Sequence, residues 1–279
     1  PVLSAITNVT LEHADRCGGT LEGVARHKAG IIKAGVPVVT AAQGMPLDVI
    51  RKTATEKGAP LYVRGKDFTS VKRGISAARQ QLVFSGKRNS LRDWPYELSL
   101  LGEYQIENSA VAVQAFLLLQ AMEPRLTLDA LRAALAKTIW PGRFEAMDIG
   151  RQRIRVDGAH NPGGAAALRT SLDVYFPTTD RVFLLGILRD KDIDAMLAAL
   201  LRPEDRAVFT TPASERAADP AVLKEKAAAR EKRVEPDPAK ALDLALEMAG
   251  GESLLVVAGS LYLVGGIRKL LQERKGGAL

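Results

Sequence analysis

The second half of the sequence alternates short β-rich runs with stretches of helical periodicity. The β-rich runs are RIRVDG, RVFLLGI, DRAVFTT and SLLVVAG, and the stretches between them include PGGAAALRTSLDVYF and PAKALDLALEMA. Parallel strands need crossover connections, so a strand, a helix and a further strand in succession indicate a parallel sheet. We therefore predict a Rossmann-like α/β domain with a mainly parallel sheet and helices on both faces. The domain has no GxGxxG fingerprint.

The first half has a less regular pattern. Runs such as VPVVTA and APLYVRG alternate with helical stretches, whereas QQLVFSG and PYELSLLG follow one another as hairpin strands do. Two helices are predicted after these strands, the second with Thr127 as its N-cap. Pro141 and Gly142 then interrupt the pattern. We place a domain boundary there, with domains at 1–140 and 141–279 of an α/β chain.

Composition and charge limit the class of protein. The chain has 279 residues, of which 47% are hydrophobic and 25% charged, enough to form a buried core. One cysteine, Cys17, allows no internal disulfide, which fits a reducing, cytoplasmic compartment. No segment resembles a signal peptide or a membrane span. The net charge of +7 suits polyanions such as ATP, but no basic run with interleaved aromatics predicts nucleic acid as a partner.

Two of the three histidines, His13 and His160, lie in turns after predicted strands. Ligands of open α/β sheets collect at the carboxyl ends of strands. In RVDGAHNPGG, Asp157 ends a β-branched run and Pro162 can open the next helix, so this loop could face a phosphate or a ribose. From the residues alone an ordinary turn stays an open alternative. A solvated surface position is likewise open for His13 and for Lys28, which is on a predicted helix.

Motifs along nearly the whole chain resemble one enzyme family. They are ITNVTLEHADRCGGTLEGVARHKAGIIKAGVPVV, LLGEYQIENSAVAVQAF, WPGRFE, DGAHNPGG, GILRDKD and VVAGSLYLVGGIRKLL. Their order and spacing are similar to those of the folylpolyglutamate synthase/dihydrofolate synthase family, a branch of the Mur-ligase superfamily. The resemblance implies that 1–140 is the C-terminal part of a central ATP-binding ligase domain. It implies that 141–279 is the Rossmann-like glutamate ligase domain.

The resemblance also implies a metal site. In this family a helix lysine reacts with carbon dioxide, and the resulting carbamate and a histidine organise Mg²⁺ against the γ-phosphate of ATP. By position these residues are Lys28 and His13, which are therefore implied to be catalytic and metal-binding. A carbamate supplies the oxygen ligands that Mg²⁺ prefers. Because carbamylation needs a neutral amine, we expect Lys28 to lie where burial or a nearby metal favours that form.

For ATP, the resemblance implies contacts from both domains. Asn108 matches the position that contacts adenine, and Arg143, Asp157 and His160 match residues that close onto the nucleotide. Arg143 would clamp a phosphate, with an interdomain salt bridge as the open alternative. Asp157 would accept hydrogen bonds from the ribose or hold a water. Residues implied to be near the incoming glutamate or the cleft, with core or loop roles equally open, are Lys191, Ser260 and Tyr262.

Several positions depart from the family pattern. The usual GLDH is TLEH here, with Glu12 in place of aspartate; REKAG is RHKAG, with His27 next to Lys28; and GEHQ is GEYQ, with Tyr104. We expect His27 to face solvent. The sequence contains no G-x-x-x-x-G-K-[ST] phosphate loop. In the family this loop, a glutamate metal ligand and the pteridine-binding loops lie upstream, so we expect a fragment that is inactive alone.

The implied reaction is ATP-dependent ligation of L-glutamate to dihydropteroate, to reduced folylpolyglutamates or to both, through an acyl phosphate. The expected partners are these small molecules, and a monomer is expected, with no nucleic acid and no membrane. Two alternatives stay open. One is a Mur-type cell-wall amino-acid ligase, which shares the carbamate and the ATP clamp, and the other is a non-catalytic nucleotide-binding module.

Overall fold

The computed structural model describes residues 1–11, 17–76, 79–87 and 91–276. The chain divides into two compact units, unit 1 at Pro1–Ile139 and unit 2 at Trp140–Leu279. The division lies immediately before Pro141 and Gly142, the residues that interrupt the sequence pattern.

Unit 1 begins with a small parallel sheet and two helices. The elements are β1 (Ser4–Ile6), α1 (Leu21–Ala29), β2 (Val38–Thr40), α2 (Gly44–Glu56) and β3 (Leu61–Val63), and the strands are ordered β1-β2-β3. Thr20 begins α1 because its side chain accepts a hydrogen bond from the Gly23 N–H at 3.0 Å. Val24, Ala29 and Ile50 are buried where the two helices pack near the sheet.

The rest of unit 1 is an antiparallel sheet with two helices. These elements are β4 (Phe68–Ser76), β5 (Arg79–Gly86), β6 (Trp94–Leu98), α3 (Glu103–Gln120) and α4 (Leu128–Lys137). The predicted hairpin partners QQLVFSG and PYELSLLG are neighbouring antiparallel strands, with Leu82 opposite Tyr96. Thr127 caps α4 as predicted, accepting the Ala130 N–H at 3.2 Å.

Unit 2 is a six-stranded sheet with the order β11-β10-β9-β12-β8-β7. Its strands are β7 (Glu145–Ala146), β8 (Ile154–Val156), β9 (Arg181–Leu185), β10 (Arg206–Phe209), β11 (Glu231–Val234) and β12 (Leu254–Ala258). Its helices are α5 (Pro162–Tyr175), α6 (Ile193–Leu200), α7 (Pro220–Lys226), α8 (Pro238–Ala249) and α9 (Leu261–Gly276). All neighbouring strands are parallel except β7, which is antiparallel to β8. The predicted α/β class with a mainly parallel sheet is confirmed.

Helices cover both faces of this sheet. On one face, Leu242 of α8 and Ile267 of α9 pack with alternate strand residues such as Val257. The intervening residues, among them Phe183 and Val256, are also fully buried. The helices α5 and α6 contact each other and bury their own apolar residues. Burial on both faces explains why the strands are continuous apolar runs.

The last strand, β12, lies in the middle of the sheet between β9 and β8. The chain therefore returns from β11 across the sheet before it forms β12. The loop after β8 leads into α5, and the loop after β12 leads into α9 on the opposite face. Adjacent strands whose connections leave to opposite faces form a crevice at their carboxyl ends. This arrangement places the loops after β8, β9 and β12 at one edge of unit 2, the carboxyl edge.

The opposite, amino edge of the sheet carries a buried ion pair. Arg169 of α5 contacts Asp205, just before β10, with Nη1 2.6 Å from Oδ2, and both side chains are nearly inaccessible. Asp173 bridges to Arg181, the first residue of β9, at 2.9 Å. Burial raises the pKa of the Asp205 carboxyl, against the opposing effects of the Arg202 N–H and the Arg169 charge.

In the part of the chain that the structure describes, no helix combines the length and apolarity needed to cross a bilayer.

Candidate nucleotide site

The loop after β8 is organised by the carboxylate of Asp157. Asp157 is buried, and its backbone N–H donates to the Val257 carbonyl at 2.9 Å, which continues the β8–β12 ladder. Its Oδ2 accepts the N–H of Phe144 and its Oδ1 accepts the N–H of Ala159, both at 2.8 Å. One side chain thus ties its own loop to the segment that precedes β7.

Phe144 has a left-handed backbone, with φ 49°. This conformation is uncommon for residues other than glycine and costs of the order of 1 kcal/mol. The ring is buried, with its centroid 5.6 Å from that of Tyr175 and 6.4 Å from that of Phe176. Aromatic packing and the bond to Asp157 therefore hold the same residue in place.

Arg143 lies between Gly142 and Phe144 and is half-buried. A Cβ atom added to Gly158 would lie 3.3 Å from Arg143 Nη1 and 2.6 Å from Leu261 Cδ2. The absence of a side chain at position 158 therefore lets the guanidinium approach the backbone of the loop. Within the described chain no carboxylate pairs with Arg143, whereas its neighbour Glu145 pairs with Arg268 at 2.9 Å. The alternative of a salt bridge at Arg143 finds no partner among these residues.

His160 and Asn161 lead the same loop into α5. His160 Nδ1 is 2.7 Å from the Gly158 carbonyl oxygen, so Nδ1 carries the proton of this hydrogen bond. Asn161 caps the helix by accepting the Gly164 N–H at 2.7 Å, and Pro162 begins it. The positive end of the α5 dipole is therefore at the carboxyl edge.

The loop after β12 lies directly beside the loop after β8. The Gly259 N–H donates to the Ala159 carbonyl at 3.0 Å. Gly259 has φ 109°, and a Cβ there would be 2.8 Å from the Gly186 carbonyl oxygen in the loop after β9. Ser260 is buried, and its Oγ accepts the Leu263 N–H at 3.2 Å, so it caps α9. A second helix N-terminus thus lies at the carboxyl edge.

The structure brings Arg143, Asp157, His160 and Ser260 together at this edge. Tyr262, in the first turn of α9, is 49% exposed. The edge is also shaped by Gly142, a residue of the predicted domain boundary, and by Gly158. Phe144 and Gly259 shape it too, and the sequence analysis did not single them out. Glycines in turns after strands are a usable signal for a close backbone approach, whereas nothing in the sequence marks Phe144 as left-handed.

Lys191 lies farther along the loop after β9. Its ammonium group is 3.8 Å from Asp190 Oδ2, and Asp190 also pairs with Arg216 at 3.2 Å. Lys191 is thus part of a partly exposed charge cluster in unit 2.

In unit 1, Asn108 lies on the exposed side of α3 and its Nδ2 donates to Gln105 Oε1 at 3.2 Å. Gly102, with φ 112°, precedes the helix. Two ion pairs connect the first turns of α3 to the neighbouring strands: Arg64 with Glu107, and Lys72 with Glu103. These cross-links fix the part of the helix that carries Asn108.

Lys28 lies in the last turn of α1 and is exposed. The sequence analysis expects burial or a nearby metal at Lys28, and of these two environments burial is not present, because a long side chain in a final helical turn extends its ammonium group past the packed face into water. His27 is exposed, as predicted. His13 and Glu12 lie outside the described residues. Within those residues, no group of three or more His, Cys, Asp or Glu side chains could hold a metal ion.

The carboxyl edge of unit 2 suits an anionic, phosphate-bearing ligand. It offers the Arg143 guanidinium and the N-termini of α5 and α9, while the N–H groups of Gly158 and Gly259 donate to the carbonyls of Gly142 and Ala159. The described residues of unit 1 provide no comparable set of oxygen ligands around Lys28. The nucleotide thus fits the residues present, while the predicted metal ligands are not assembled among them.

Comparison with known proteins agrees with this geometry. Residues 142–261 match the model of the Mur ligase glutamate ligase domain. The folylpolyglutamate synthase of Lacticaseibacillus casei is 33% identical over 283 residues, covering 97% of this chain and 62% of that protein. The dihydrofolate synthase/folylpolyglutamate synthase of Bacillus subtilis is 29% identical over 277 residues, covering 98% of this chain and 63% of that protein.

Solved structures are similar over almost the whole chain. The Mycobacterium tuberculosis folylpolyglutamate synthase complexed with ADP and AMPPCP has a TM-score of 0.83 and 28% identity, covering 96% of this chain and 63% of that one. The present chain thus spans less than two thirds of the length of each of these relatives. The matched domain, the relatives and the shared architecture together establish that the chain belongs to the folylpolyglutamate synthase/dihydrofolate synthase family of the Mur-ligase superfamily.

Proposed function

We propose that the protein acts as an ATP-dependent ligase that joins L-glutamate to dihydropteroate, to reduced folylpolyglutamates or to both. The observation that carries the proposal is the carboxyl edge of unit 2, where Arg143 and two helix N-termini converge within the segment that matches the glutamate ligase domain. The relatives are a folylpolyglutamate synthase and a dihydrofolate synthase/folylpolyglutamate synthase, which supports folates as the acceptors.

The reaction has two steps. A folate carboxylate attacks the γ-phosphate of ATP, giving an acyl phosphate and ADP. The α-amine of glutamate then attacks the acyl carbon, and phosphate leaves through a tetrahedral intermediate as the amide forms and the amine loses its proton. Activation is needed because a free carboxylate is a poor electrophile. A guanidinium held in place stabilises the negative charge of the transferring group, which is the role proposed for Arg143.

Other residues take supporting roles in this proposal. Asn108 contacts adenine, and Asp157 accepts a hydrogen bond from the ribose or holds a water. His160 contacts the nucleotide through Nε2, since Nδ1 is engaged by the Gly158 carbonyl. Lys191, Ser260 and Tyr262 are proposed near the incoming glutamate. For Ser260, whose Oγ caps α9, the contribution is to orient the helix N-terminus.

We also propose Mg²⁺ and a carbamate on Lys28, with His13 as a metal ligand. Together they would neutralise charge on the phosphates. The modification is supported only by the match of Lys28 to the family position, and no reaction step is derived through the metal. Intact-mass measurement in bicarbonate buffer tests it: a carbamate adds the mass of carbon dioxide, and Lys28→Arg abolishes the addition.

Finally, we propose that the protein works as a cytoplasmic monomer without nucleic acid.

The test is ADP release by the full-length protein in the presence of ATP and glutamate. We expect release only when dihydropteroate or a reduced folylpolyglutamate is added. Release with a UDP-sugar peptide instead would favour the Mur-type cell-wall ligase, which the domain match also accommodates. ATP binding without ADP release under all these conditions would favour a non-catalytic nucleotide-binding module.

A further inference from the structure

Hydrogen bonds on both sides of Arg143 fix its backbone to a single loop. On one side, the Gly142 carbonyl accepts the Gly158 N–H at 2.8 Å. On the other, the Phe144 N–H donates to Asp157 Oδ2 at 2.8 Å. Both bonds end on the loop after β8, and we call these four flanking residues the Arg143 latch. Because the backbone is held at both neighbours, the latch determines the direction in which the Arg143 side chain leaves it.

The Asp157 bond is the part of the latch that depends on a side chain. It holds Phe144 in a left-handed conformation, which residues with a Cβ atom otherwise avoid. Phe144 is buried, so its N–H would lose a hydrogen bond without gaining water if the carboxylate were absent. The Phe144 ring contacts would then be the remaining support for the strained backbone.

We propose that Asp157 is a positioning residue for Arg143: its carboxylate keeps Phe144 left-handed and thereby aims the preceding guanidinium at the phosphates. The inference rests on the proposed function, because Arg143 must bind phosphate for its direction to matter. Of the two roles that the proposed function allows Asp157, it is compatible with holding a water and excludes a direct ribose contact.

The variant Asp157→Asn tests the latch with little change in shape. An amide replaces one acceptor oxygen by a donor NH₂ group, so Phe144 or Ala159 would direct its N–H at another donor. Asp148→Asn is the matched control. The Asp148 carboxylate also accepts a backbone N–H in unit 2, that of Ile154 at 2.9 Å. It pairs in addition with Arg155 at 2.9 Å, and no hydrogen bond joins it to a residue of the latch.

The measurement is calorimetric binding of AMPPCP, a non-hydrolysable ATP analogue, to the full-length protein. We expect Asp157→Asn and Arg143→Ala each to weaken binding about tenfold, the size expected for a hydrogen bond to a charged group. In the Arg143→Ala background, Asp157→Asn should cost less than about twofold, because residues that act through one contact are not additive. Asp148→Asn should leave the affinity unchanged.

Two binding results would overturn the inference, and they are distinguishable. A full tenfold loss from Asp157→Asn in the Arg143→Ala background would mean that Asp157 binds the nucleotide independently, and the proposed function would stand. An unchanged affinity in Arg143→Ala would show that Arg143 does not bind the phosphates, which would contradict the proposed function as well. The 2′,3′-dideoxy form of ATP isolates the ribose contact. If Asp157 acts only by positioning, this analogue should bind more weakly than ATP by the same factor in Asp157→Asn as in wild type. If that difference in affinity disappears in Asp157→Asn, Asp157 contacts the ribose directly.

Amide hydrogen exchange gives a readout that does not depend on binding. The Phe144 amide should exchange faster in Asp157→Asn and at the wild-type rate in Asp148→Asn. Unchanged protection of Phe144 in Asp157→Asn would contradict the latch even if nucleotide affinity fell.

Discussion

The two edges of the unit 2 sheet are built in opposite ways. At the amino edge, charged side chains cross-link the elements, with Arg169 and Asp205 buried against each other. At the carboxyl edge, the loops are joined mainly through backbone groups, as in the bond from Gly259 to Ala159 and the two bonds to the Asp157 carboxylate. The amino edge is filled by its own side chains. The carboxyl edge keeps its helix N-termini and one guanidinium available for a ligand.

This difference indicates a division of labour within one sheet. Parallel strands turn all their carboxyl ends the same way, so ligands are bound at one edge and the opposite edge can be used for stability. Substitutions at the two edges should therefore separate folding from ligand binding. The following predictions test that separation, from the largest effect to the smallest.

Asp205→Ala should lower the free energy of unfolding by about 3 kcal/mol, because it leaves the buried Arg169 charge without its closest partner and removes the acceptor of the Arg202 N–H. Chemical denaturation measures the change. Glu204→Ala is the control, since Glu204 is exposed and 4.0 Å from Arg169, and it should cost less than about 0.5 kcal/mol. Equal losses in the two variants would show that the pair does not stabilise the amino edge.

Arg143→Ala should lower kcat/KM for glutamate-dependent ADP release about 100-fold, equivalent to about 2.7 kcal/mol of lost transition-state stabilisation. Its unfolding free energy should be unchanged, because no carboxylate among the described residues pairs with it. Arg151→Ala, at an exposed turn position in the same unit, should retain full activity. If both variants keep wild-type kinetics, the carboxyl edge does not contain the phosphate clamp.

Gly259→Ala should destabilise unit 2 by about 1–2 kcal/mol, since φ is 109° and the added Cβ would lie 2.8 Å from the Gly186 carbonyl oxygen. Thermal unfolding provides the measurement. The control is Gly265→Ala, inside α9 with open space around the added atom, which should be neutral or stabilising by up to about 1 kcal/mol. A neutral result at both glycines would mean that the loop after β12 tolerates a side chain.

The smallest expected effect is a pH dependence from Asp205. Its pKa is raised in the folded state because it is buried, so the folded protein binds this proton more tightly than the unfolded chain does. The stabilising effect of protonation is present at low pH and is lost as pH rises through the folded-state pKa, above the ordinary value of about 3.9. As pH rises across this range, the unfolding free energy of wild type should fall relative to that of Asp205→Asn. A rise relative to the variant would reverse the assigned sign.

The alternation of strands and helices was sufficient to predict the parallel sheet of unit 2, because strands buried on both faces are continuously apolar. Local chemistry was also sufficient for the Thr127 cap. The central position of β12 could not be predicted, since its neighbours depend on long-range packing rather than on local pattern. The exposure of Lys28 depends equally on where α1 ends.

At the candidate site, the sequence pointed to Arg143, Asp157 and His160, which the structure places at one edge. It gave no sign that the Asp157 carboxylate would accept two backbone N–H groups, because neither donor is distinguished by its residue type. The Arg169–Asp205 pair was missed for a similar reason. Charged residues on helices are usually solvated, and their burial follows only from the packing of α5 near the amino edge.

The placement of β12 between β9 and β8 also affects how unit 2 is made on the ribosome. Ile154 and Val182, on strands formed early in synthesis, both pair across to Leu255, which is translated near the end of the unit. Until that segment leaves the ribosome, β8 and β9 lack the strand that lies between them, so their backbone hydrogen-bond ladders are incomplete. Folding of the unit is therefore delayed until after translation of its last strand, a period in which chaperones can bind the exposed apolar edges.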